Sequence, residues 1–241
     1  SGGGIYSEAS AVLTLTQSAV ISNTAAGAKK KNGGGIYTLG QTSIVNSTVS
    51  GNQAENHGGG LYVANGPAYL NNVTVANNTA DSDGNGGNGG GIYATGGNTV
   101  TVQNSLVAAN VDNSPGSPDC EAESGVITSG GHNLIGAVDG CNWVGATGDI
   151  TGTAALPVDP ILGGAQSVGA SWVQPLLTNS PAIDTGSAAA PGSGGTACAA
   201  TDQLGTVRPL DGDGNGSAHC DKGAFEHATV STPTATPTVT P

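Results

Sequence analysis

The sequence predicts an all-β fold, a parallel β-helix (solenoid), on the strength of three observations. Glycine accounts for 42 of the 241 residues, whereas aromatic residues make up 3% and charged residues 9%, a composition that disfavours helical bundles and compact α/β enzymes. A motif of three glycines, an aliphatic residue and a tyrosine recurs at intervals of 25 to 31 residues. Alternating runs between the copies, such as Val12–Thr16, indicate short strands rather than helices.

Each repeat contains two blocks whose phase is kept through four copies. The first block ends in a tyrosine, at Tyr6, Tyr37, Tyr62 and Tyr93. The second block ends in an asparagine, at Asn23, Asn52, Asn78 and Asn110. An amide also recurs inside the second block, at Gln17, Asn46, Asn72 and Asn104. Because equivalent residues of stacked coils lie about 4.8 Å apart, these positions predict a tyrosine column and asparagine ladders at turns, where asparagine tolerates left-handed backbone.

We expect three regions along the chain. The coils occupy residues 1–136, because the repeat weakens after Asn110 and one last coil fits before residue 137. Residues 137–227 hold both tryptophans and three of the four cysteines, and they are expected to cap the exposed edge of the last coil. Residues 228–241 are rich in threonine and proline, which is typical of an extended stalk or linker.

Charge and hydropathy limit the partners of the chain. The formal net charge of −12 disfavours binding to nucleic acid or to an anionic membrane. No apolar run approaches the roughly 20 residues of a membrane helix, so no membrane insertion is expected. The first residues lack the features of a secretory leader, so we expect any signal peptide to have been removed.

The segments around and beyond the last coil carry a family resemblance. Its motifs are His132–Gly136, Asp159–Leu162, Asn179–Gly186, Asp202–Pro209 and Cys220–Glu226. Together with the glycine-tyrosine coils they resemble bacterial right-handed β-helix surface proteins with polymorphic outer-membrane-protein-like repeats and a C-terminal choice-of-anchor Q-type module. The resemblance covers residues 2 to 227. It implies a right-handed solenoid with a loop-rich cap module, secreted to the bacterial cell surface.

Four cysteines, Cys120, Cys141, Cys198 and Cys220, indicate two disulfides and an oxidising compartment. Three pairings are possible. Loop entropy and the resemblance both favour the local one, Cys120 with Cys141 and Cys198 with Cys220. Zinc is disfavoured because the chain has no C-x-x-C pair and its four histidines are scattered.

A calcium loop is the only cofactor site that the sequence suggests. Asp211, Asp213 and Asn215 have the spacing at which alternate oxygens converge on a hard cation, and Asp221 is a candidate fourth ligand. Lys222 stands where an EF-hand requires glutamate, so a complete EF-hand is excluded. The alternative is an acidic glycine turn without metal.

For function, the sequence favours an extracellular structural or adhesive surface protein and no enzyme. The acids in the coils lie nearly all in variable loops, where Asp81 with Asp83 and Glu55 with His57 are the best remaining pairs for catalysis. A first coil without a visible cap and a tail that needs a partner suggest head-to-tail assembly into a fibre. Alternatives are a carbohydrate-binding or carbohydrate-cleaving β-helix, for which the tyrosine column is one candidate surface, and a passive cell-surface stalk. The partners expected are a second copy, cell-surface or matrix components, or a glycan.

Overall fold

Stacked parallel strands make up most of residues 5–151 in the computed structural model, which describes residues 2–27, 29, 31–114 and 116–228. Of the tail predicted over 228–241, all but Ala228 lies outside the described residues. No helix occurs in the part of the chain that the structure describes, and so none there is long and apolar enough to cross a membrane.

Four complete coils contribute strands to three parallel sheets. Coil 1 contains β1 (Ile5–Ser7), β2 (Val12–Thr16), β3 (Ala19–Ile21) and β4 (Thr24–Ala25). Coil 2 contains β5 (Ile36–Thr38), β6 (Gln41–Ser50) and β7 (Gln53–Ala54). Coil 3 contains β8 (Leu61–Val63), β9 (Ala68–Ala76) and β10 (Thr79–Ala80). Coil 4 contains β11 (Ile92–Ala94), β12 (Thr99–Gln103), β13 (Leu106–Ala108) and β14 (Val111–Asp112).

A partial fifth coil and a hairpin complete the strands. The fifth coil contains β15 (Cys120–Ala122), β16 (Val126–Gly131) and β17 (Leu134–Ile135), and β18 (Ile150–Thr151) pairs with β17. The hairpin is formed by β19 (Gln166–Val168) and β20 (Ser171–Val173), which pair antiparallel.

The register of the sheets confirms the parallel β-solenoid. The first sheet runs β1, β5, β8, β11, β15, and the short third sheet runs β4, β7, β10, β14. In the first sheet Tyr37 pairs with Tyr6 on one side and Tyr62 on the other, and Tyr62 pairs with Tyr93. Each coil therefore places its copy of the repeat directly on the previous copy.

The interior is a narrow stack of aliphatic side chains. Val49, Val75 and Val107 form one buried column, as predicted from their register in the repeat. The glycine motif is required by the closeness of the coils: a Cβ on Gly60 would lie 2.6 Å from the carbonyl oxygen of Gly91. These contacts explain why the core needs few large residues.

Residues 137–227 lie mostly along the side of the solenoid rather than over its end, which differs from the expected cap. Residues up to 152 do cover the last coil, where β18 pairs with β17 and Val144 bridges to Thr128. Residues 153–227, here called the flanking segment, turn back along the coils as far as coil 1, where the backbone oxygen of Asp202 accepts a hydrogen bond from Gln17.

The flanking segment covers half of the long second sheet. It packs on the outward residues of the later strand halves, which are small or aliphatic and uncharged: Thr48, Ser50, Thr74, Ala76, Leu106, Ala108 and Leu134. This is why the last five residues of β6 are all buried, whereas its first five alternate between buried and accessible. We call this surface the docking face.

Candidate functional site

The asparagines of the repeat form a continuous hydrogen-bonded ladder. Nδ2 of Asn23 donates to Oδ1 of Asn52, Nδ2 of Asn52 to Oδ1 of Asn78, and Nδ2 of Asn78 to Oδ1 of Asn110, each at 2.9 Å. Each accepting oxygen also binds the backbone N–H of the preceding asparagine at 3.0 Å. Asn52 and Asn78 are fully buried. Their side chains therefore have an essential structural task and are not open to a ligand.

The ladder ends on Asp119, which the repeat did not predict. Oδ1 of Asp119 accepts from Nδ2 of Asn110 at 2.9 Å, and its Oδ2 accepts from the backbone N–H of Ala137 at 2.7 Å. Burial raises the pKa of Asp119 to about 6. Because an ionised carboxylate only accepts hydrogen bonds, it stops the ladder. Asp119 lies outside the repeat spacing, so only the fold reveals its role.

The second column of amides holds the flanking segment. Gln17, Asn46, Asn72 and Asn104 have φ angles of 48°, 47°, 52° and 46°, in the left-handed region expected for these turns. Oδ1 of Asn72 accepts from the backbone N–H of Ala199 at 2.8 Å. Oδ1 of Asn104 accepts from the backbone N–H of Ser187 at 3.1 Å, and its Nδ2 donates to Thr196. These turns were expected to bind mainly up and down the stack, and much of their bonding is instead sideways to the flanking segment.

The tyrosines stack as a column. Ring centroids are 5.4 Å apart for Tyr6 and Tyr37, 4.9 Å for Tyr37 and Tyr62, and 5.1 Å for Tyr62 and Tyr93. The hydroxyl of Tyr93 donates to Glu123 at 2.7 Å, and burial together with this carboxylate holds the pKa of Tyr93 far above its usual value. Since each inner ring is covered by its neighbours, the column offers one open ring face, at the 49% exposed Tyr6.

The structure contains the two disulfides in the local pairing. Cys120 joins Cys141 with Cα atoms 5.0 Å apart, and Cys198 joins Cys220 with Cα atoms 6.6 Å apart. The first ties the fifth coil to the segment that covers it, and the second closes a loop within the flanking segment. Such bonds indicate an oxidising compartment.

The predicted calcium loop has a different set of neighbours from the one expected. The carboxylates of Asp211 and Asp213 lie together with that of Asp184, within 4.8 Å of one another. Asp221 is turned away, since its two oxygens accept from the backbone N–H groups of Asp184 and His227. Asp221, the fourth ligand that the sequence suggested, is therefore not part of this cluster.

The acidic turn is already rich in internal hydrogen bonds. Asp211 accepts from the backbone N–H groups of Gly214, Asn215 and Gly216, and Oδ1 of Asn215 accepts from Ser217 at 2.8 Å. This pattern is typical of an Asx turn. Calcium binding stays a prediction, which calorimetric titration with millimolar Ca²⁺ checks, and the absence of binding heat would overturn it.

The loop acids Asp81 and Asp83, considered for catalysis, and the neighbouring Asp112 accept hydrogen bonds within their own loop or from the next one. Oδ2 of Asp81 accepts from the Ser114 hydroxyl at 2.9 Å, and Oδ1 of Asp112 accepts from the Ser114 backbone N–H at 2.9 Å. Oδ1 of Asp83 accepts from Asn85 at 3.2 Å. Burial raises the pKa of Asp112. These acids therefore stabilise the turns of their loops, and the bond from Ser114 to Asp81 joins two adjacent coils.

Glu55 and His57 have separate partners. Oε2 of Glu55 accepts from the backbone N–H of Gly27 at 3.0 Å. The ring of His57 stacks on Tyr93 at 4.3 Å, and its Nδ1 accepts from the backbone N–H of Asn88 at 3.0 Å. Both residues thus connect neighbouring loops at the same edge of the solenoid.

Buried charges hold the flanking segment together, which sequence reasoning missed. The guanidinium of Arg208 forms an ion pair with Glu226, and both side chains are fully buried. Nη2 of Arg208 also donates to the carbonyl of Gly223 at 2.9 Å. Nζ of Lys222 donates to the carbonyls of Gly148 and Thr185, and burial lowers the pKa of Lys222 to about 8. One hint of these buried charges was present in the sequence: the chain has only five basic residues, and two of them, Arg208 and Lys222, lie in its last third.

Comparisons with known proteins give no family assignment. No protein-family model, curated protein or solved structure matches the chain at a significant level. The resemblance to a choice-of-anchor Q-type module and to polymorphic outer-membrane-protein-like repeats stays an expectation.

Proposed function

We propose that the chain is a structural and adhesive element of a secreted bacterial surface protein. The observation that carries the proposal is the asparagine ladder: the asparagines that recur in the coils are hydrogen bonded to one another, as a structural repeat requires. The tyrosine column and the docked flanking segment support the same conclusion. The repeat thus serves to build a stiff scaffold that presents surface loops.

The extracellular part of the proposal rests on the two disulfides. The cell-surface and bacterial parts rest on the resemblance of the coils and of residues 120–226 to bacterial surface proteins. A cell-surface or matrix component is the partner that this role requires.

Electron microscopy and activity assays test the structural role. We expect short, straight rods that keep their shape after prolonged incubation, and no product from uronate polymers or neutral polysaccharides. Rods that collapse into irregular particles, or release of reducing sugar at a catalytic rate, would contradict the proposal. A matched sample with both disulfides reduced serves as the control, because it shows how the rods look once the fold itself is weakened.

Self-assembly through coil 1 is a second candidate. Strands β1 to β4 are hydrogen bonded on one side only among the described residues, and Oδ1 of Asn23 accepts no hydrogen bond there. A further coil or a second copy carrying an asparagine would extend the ladder at this oxygen. Asp119, at the other end, has no donor to offer, so head-to-tail contact of two copies would have to rely on other groups.

Microscopy over a range of concentrations decides between assembly and a passive stalk. Fibres that grow longer as the concentration rises support self-assembly. Single rods at every concentration contradict it and favour a stalk or a monomeric adhesin. The aspartate at the end of the ladder makes fibres with an unbroken asparagine ladder unexpected.

A further inference from the structure

A cleft lies where the flanking segment meets coil 1. Its volume is ≈ 720 Å³, which falls within the range of about 300 to 1,000 Å³ that is usual for small-molecule sites. It is lined by Gln17, Ser18, Ala19, Val168, Gly169, Ala170, Ser171, Trp172, Gln203 and Leu204. None of these ten residues is charged, although the chain carries a net charge of −12. An anionic or cationic ligand would find no counter-charge in this lining.

Trp172 provides an aromatic surface in the cleft. It lies on β20 and is 48% exposed. Tryptophan side chains are usually buried to a large extent, and this chain has only two of them. An exposed indole of this kind suits a ligand with an apolar face and a polar rim. A pyranose ring has this form, because its C–H bonds make an apolar face and its hydroxyl groups project at the rim.

The position of Trp172 is fixed by a buried glutamine. Nε2 of Gln203 donates to the carbonyl of Trp172 at 2.7 Å and to the Ser171 hydroxyl at 3.1 Å. Oε1 of Gln203 accepts from the Thr48 hydroxyl at 2.6 Å. Gln203 is 3% exposed, and the hydroxyl of Ser50 in coil 2 also donates to Gln174, directly after β20, at 2.8 Å, so buried amides hold the hairpin to coil 2. The aromatic surface is therefore preorganised by the fold.

Polar atoms with unused hydrogen-bonding capacity line the same cleft as the aromatic residue. Nε2 of Gln17 donates to the backbone oxygen of Asp202 at 3.1 Å, which orients the amide while its Oε1 has no hydrogen-bond partner among the described residues. The Ser18 hydroxyl donates to the carbonyl of Thr16 at 2.8 Å and retains its capacity to accept. The Ser171 hydroxyl accepts from Gln203 and retains its proton for donation. One aromatic face with separate donors and acceptors is the arrangement that a polyhydroxylated ligand needs.

We propose that this cleft binds a neutral oligosaccharide, with Trp172 stacked on a pyranose ring and Gln17, Ser18 and Ser171 hydrogen bonded to its hydroxyl groups. The inference deepens and rests on the proposed adhesive function, for which it names the ligand class and its site. It also moves glycan binding away from the tyrosine column, whose inner ring faces are covered by one another.

Tryptophan fluorescence tests the proposal on the whole chain. The variant Trp143→Phe leaves Trp172 as the only tryptophan. The probes are maltotetraose, cellotetraose and xylotetraose, with tetragalacturonate as the charged comparator. We expect at least one neutral probe to change the emission saturably, and tetragalacturonate to bind at least tenfold more weakly. No saturable change with any neutral probe up to 10 mM, or equal binding of tetragalacturonate, would overturn the proposal.

Matched variants measured by calorimetry locate the binding. Trp172→Ala should weaken the best neutral probe at least about tenfold, as removal of a central aromatic contact does. Tyr69→Ala, a control at another exposed aromatic residue, should leave affinity unchanged. Equal loss in both variants, or none in Trp172→Ala, would refute the site. Intact rods without glycan binding would end this inference and leave the structural proposal standing, whereas collapsed rods would remove the structural proposal itself.

Discussion

The solenoid and the flanking segment are stabilised in different ways. In the solenoid, each coil binds its neighbours through the same few groups, such as Asn52 and Asn78 in the ladder. In the flanking segment, each contact occurs once, as in the ion pair of Arg208 with Glu226 or the bond from Thr48 to Gln203. A repeated contact is visible in a sequence as periodicity, whereas a unique contact is not. The stabilities of these two layers, the solenoid and the flanking segment, should also respond separately to mutation.

The largest effect is expected in the flanking segment. Glu226→Gln removes the carboxylate that is ion-paired with the buried guanidinium of Arg208 and leaves only the more distant acidic groups of Asp202 and Asp221, which should lower the free energy of unfolding by about 3 to 5 kcal/mol. Chemical denaturation measures the loss, and limited proteolysis should cut first within residues 153–227. Glu8→Gln, at an exposed acid of coil 1, is the control and should change stability by less than about 0.5 kcal/mol. Equal losses in the two variants would refute this role of the ion pair.

A break in the ladder should be nearly as costly. Asn78→Ala removes the acceptor for two donors of Asn52 and the donor to the buried carbonyl of Val49. We expect a loss of roughly 3 kcal/mol in thermal or denaturant unfolding. Asn77→Gly is the matched control, since Asn77 is exposed at a φ of 57° that glycine adopts readily. A loss below about 1 kcal/mol for Asn78→Ala would show that the ladder contributes little.

The end of the ladder should make stability depend on pH. Asp119 has a pKa raised to about 6 in the folded chain, above its value of 3.8 when unfolded, so the folded state binds the proton more tightly. Its contribution is therefore greatest below pH 4 and declines as the pH rises through about 6, by on the order of 2 to 3 kcal/mol.

Urea unfolding between pH 4 and pH 7 measures this dependence. Asp221 and Glu226 also have raised pKa values from burial, so the difference between wild type and Asp119→Asn isolates Asp119. We expect the stability of the wild type relative to Asp119→Asn to fall as the pH rises from 4 to 7. Parallel curves over this range would contradict a titrating ladder end.

The smallest effect compares the two halves of the long sheet. Thr48→Val leaves Oε1 of Gln203 without its donor under the flanking segment, which should cost about 1 to 2 kcal/mol in thermal unfolding. Thr14→Val changes an exposed threonine on the open half and should be neutral. A neutral Thr48→Val would mean that the flanking segment does not depend on this contact.

The sequence predicted the parts of the structure that recur. The tyrosine column, the asparagine ladder and the buried valines follow from the phase of the repeat, since stacked coils place equivalent residues on one another. Asp119 could not be predicted, because the end of a ladder occurs once. The path of residues 153–227 could not be predicted either: an unpaired edge suggested an end cap, whereas the segment packs on the uncharged docking face along the coils. The position of Trp172 in the cleft could not be predicted, because the sequence shows only that tryptophan is rare in this chain.

Hydrogen exchange in the wild type and in Glu226→Gln tests the separate stabilisation of the two layers most directly. If the ladder makes the solenoid a stiff scaffold by itself, the amides of Asn52 and Asn78 should exchange slowest in the wild type and keep their protection in the variant. The amides of residues 153–227 should exchange faster in the variant by a large factor. Loss of protection by the same factor in both layers would contradict this account, because it would mean that the solenoid and the flanking segment unfold as one unit.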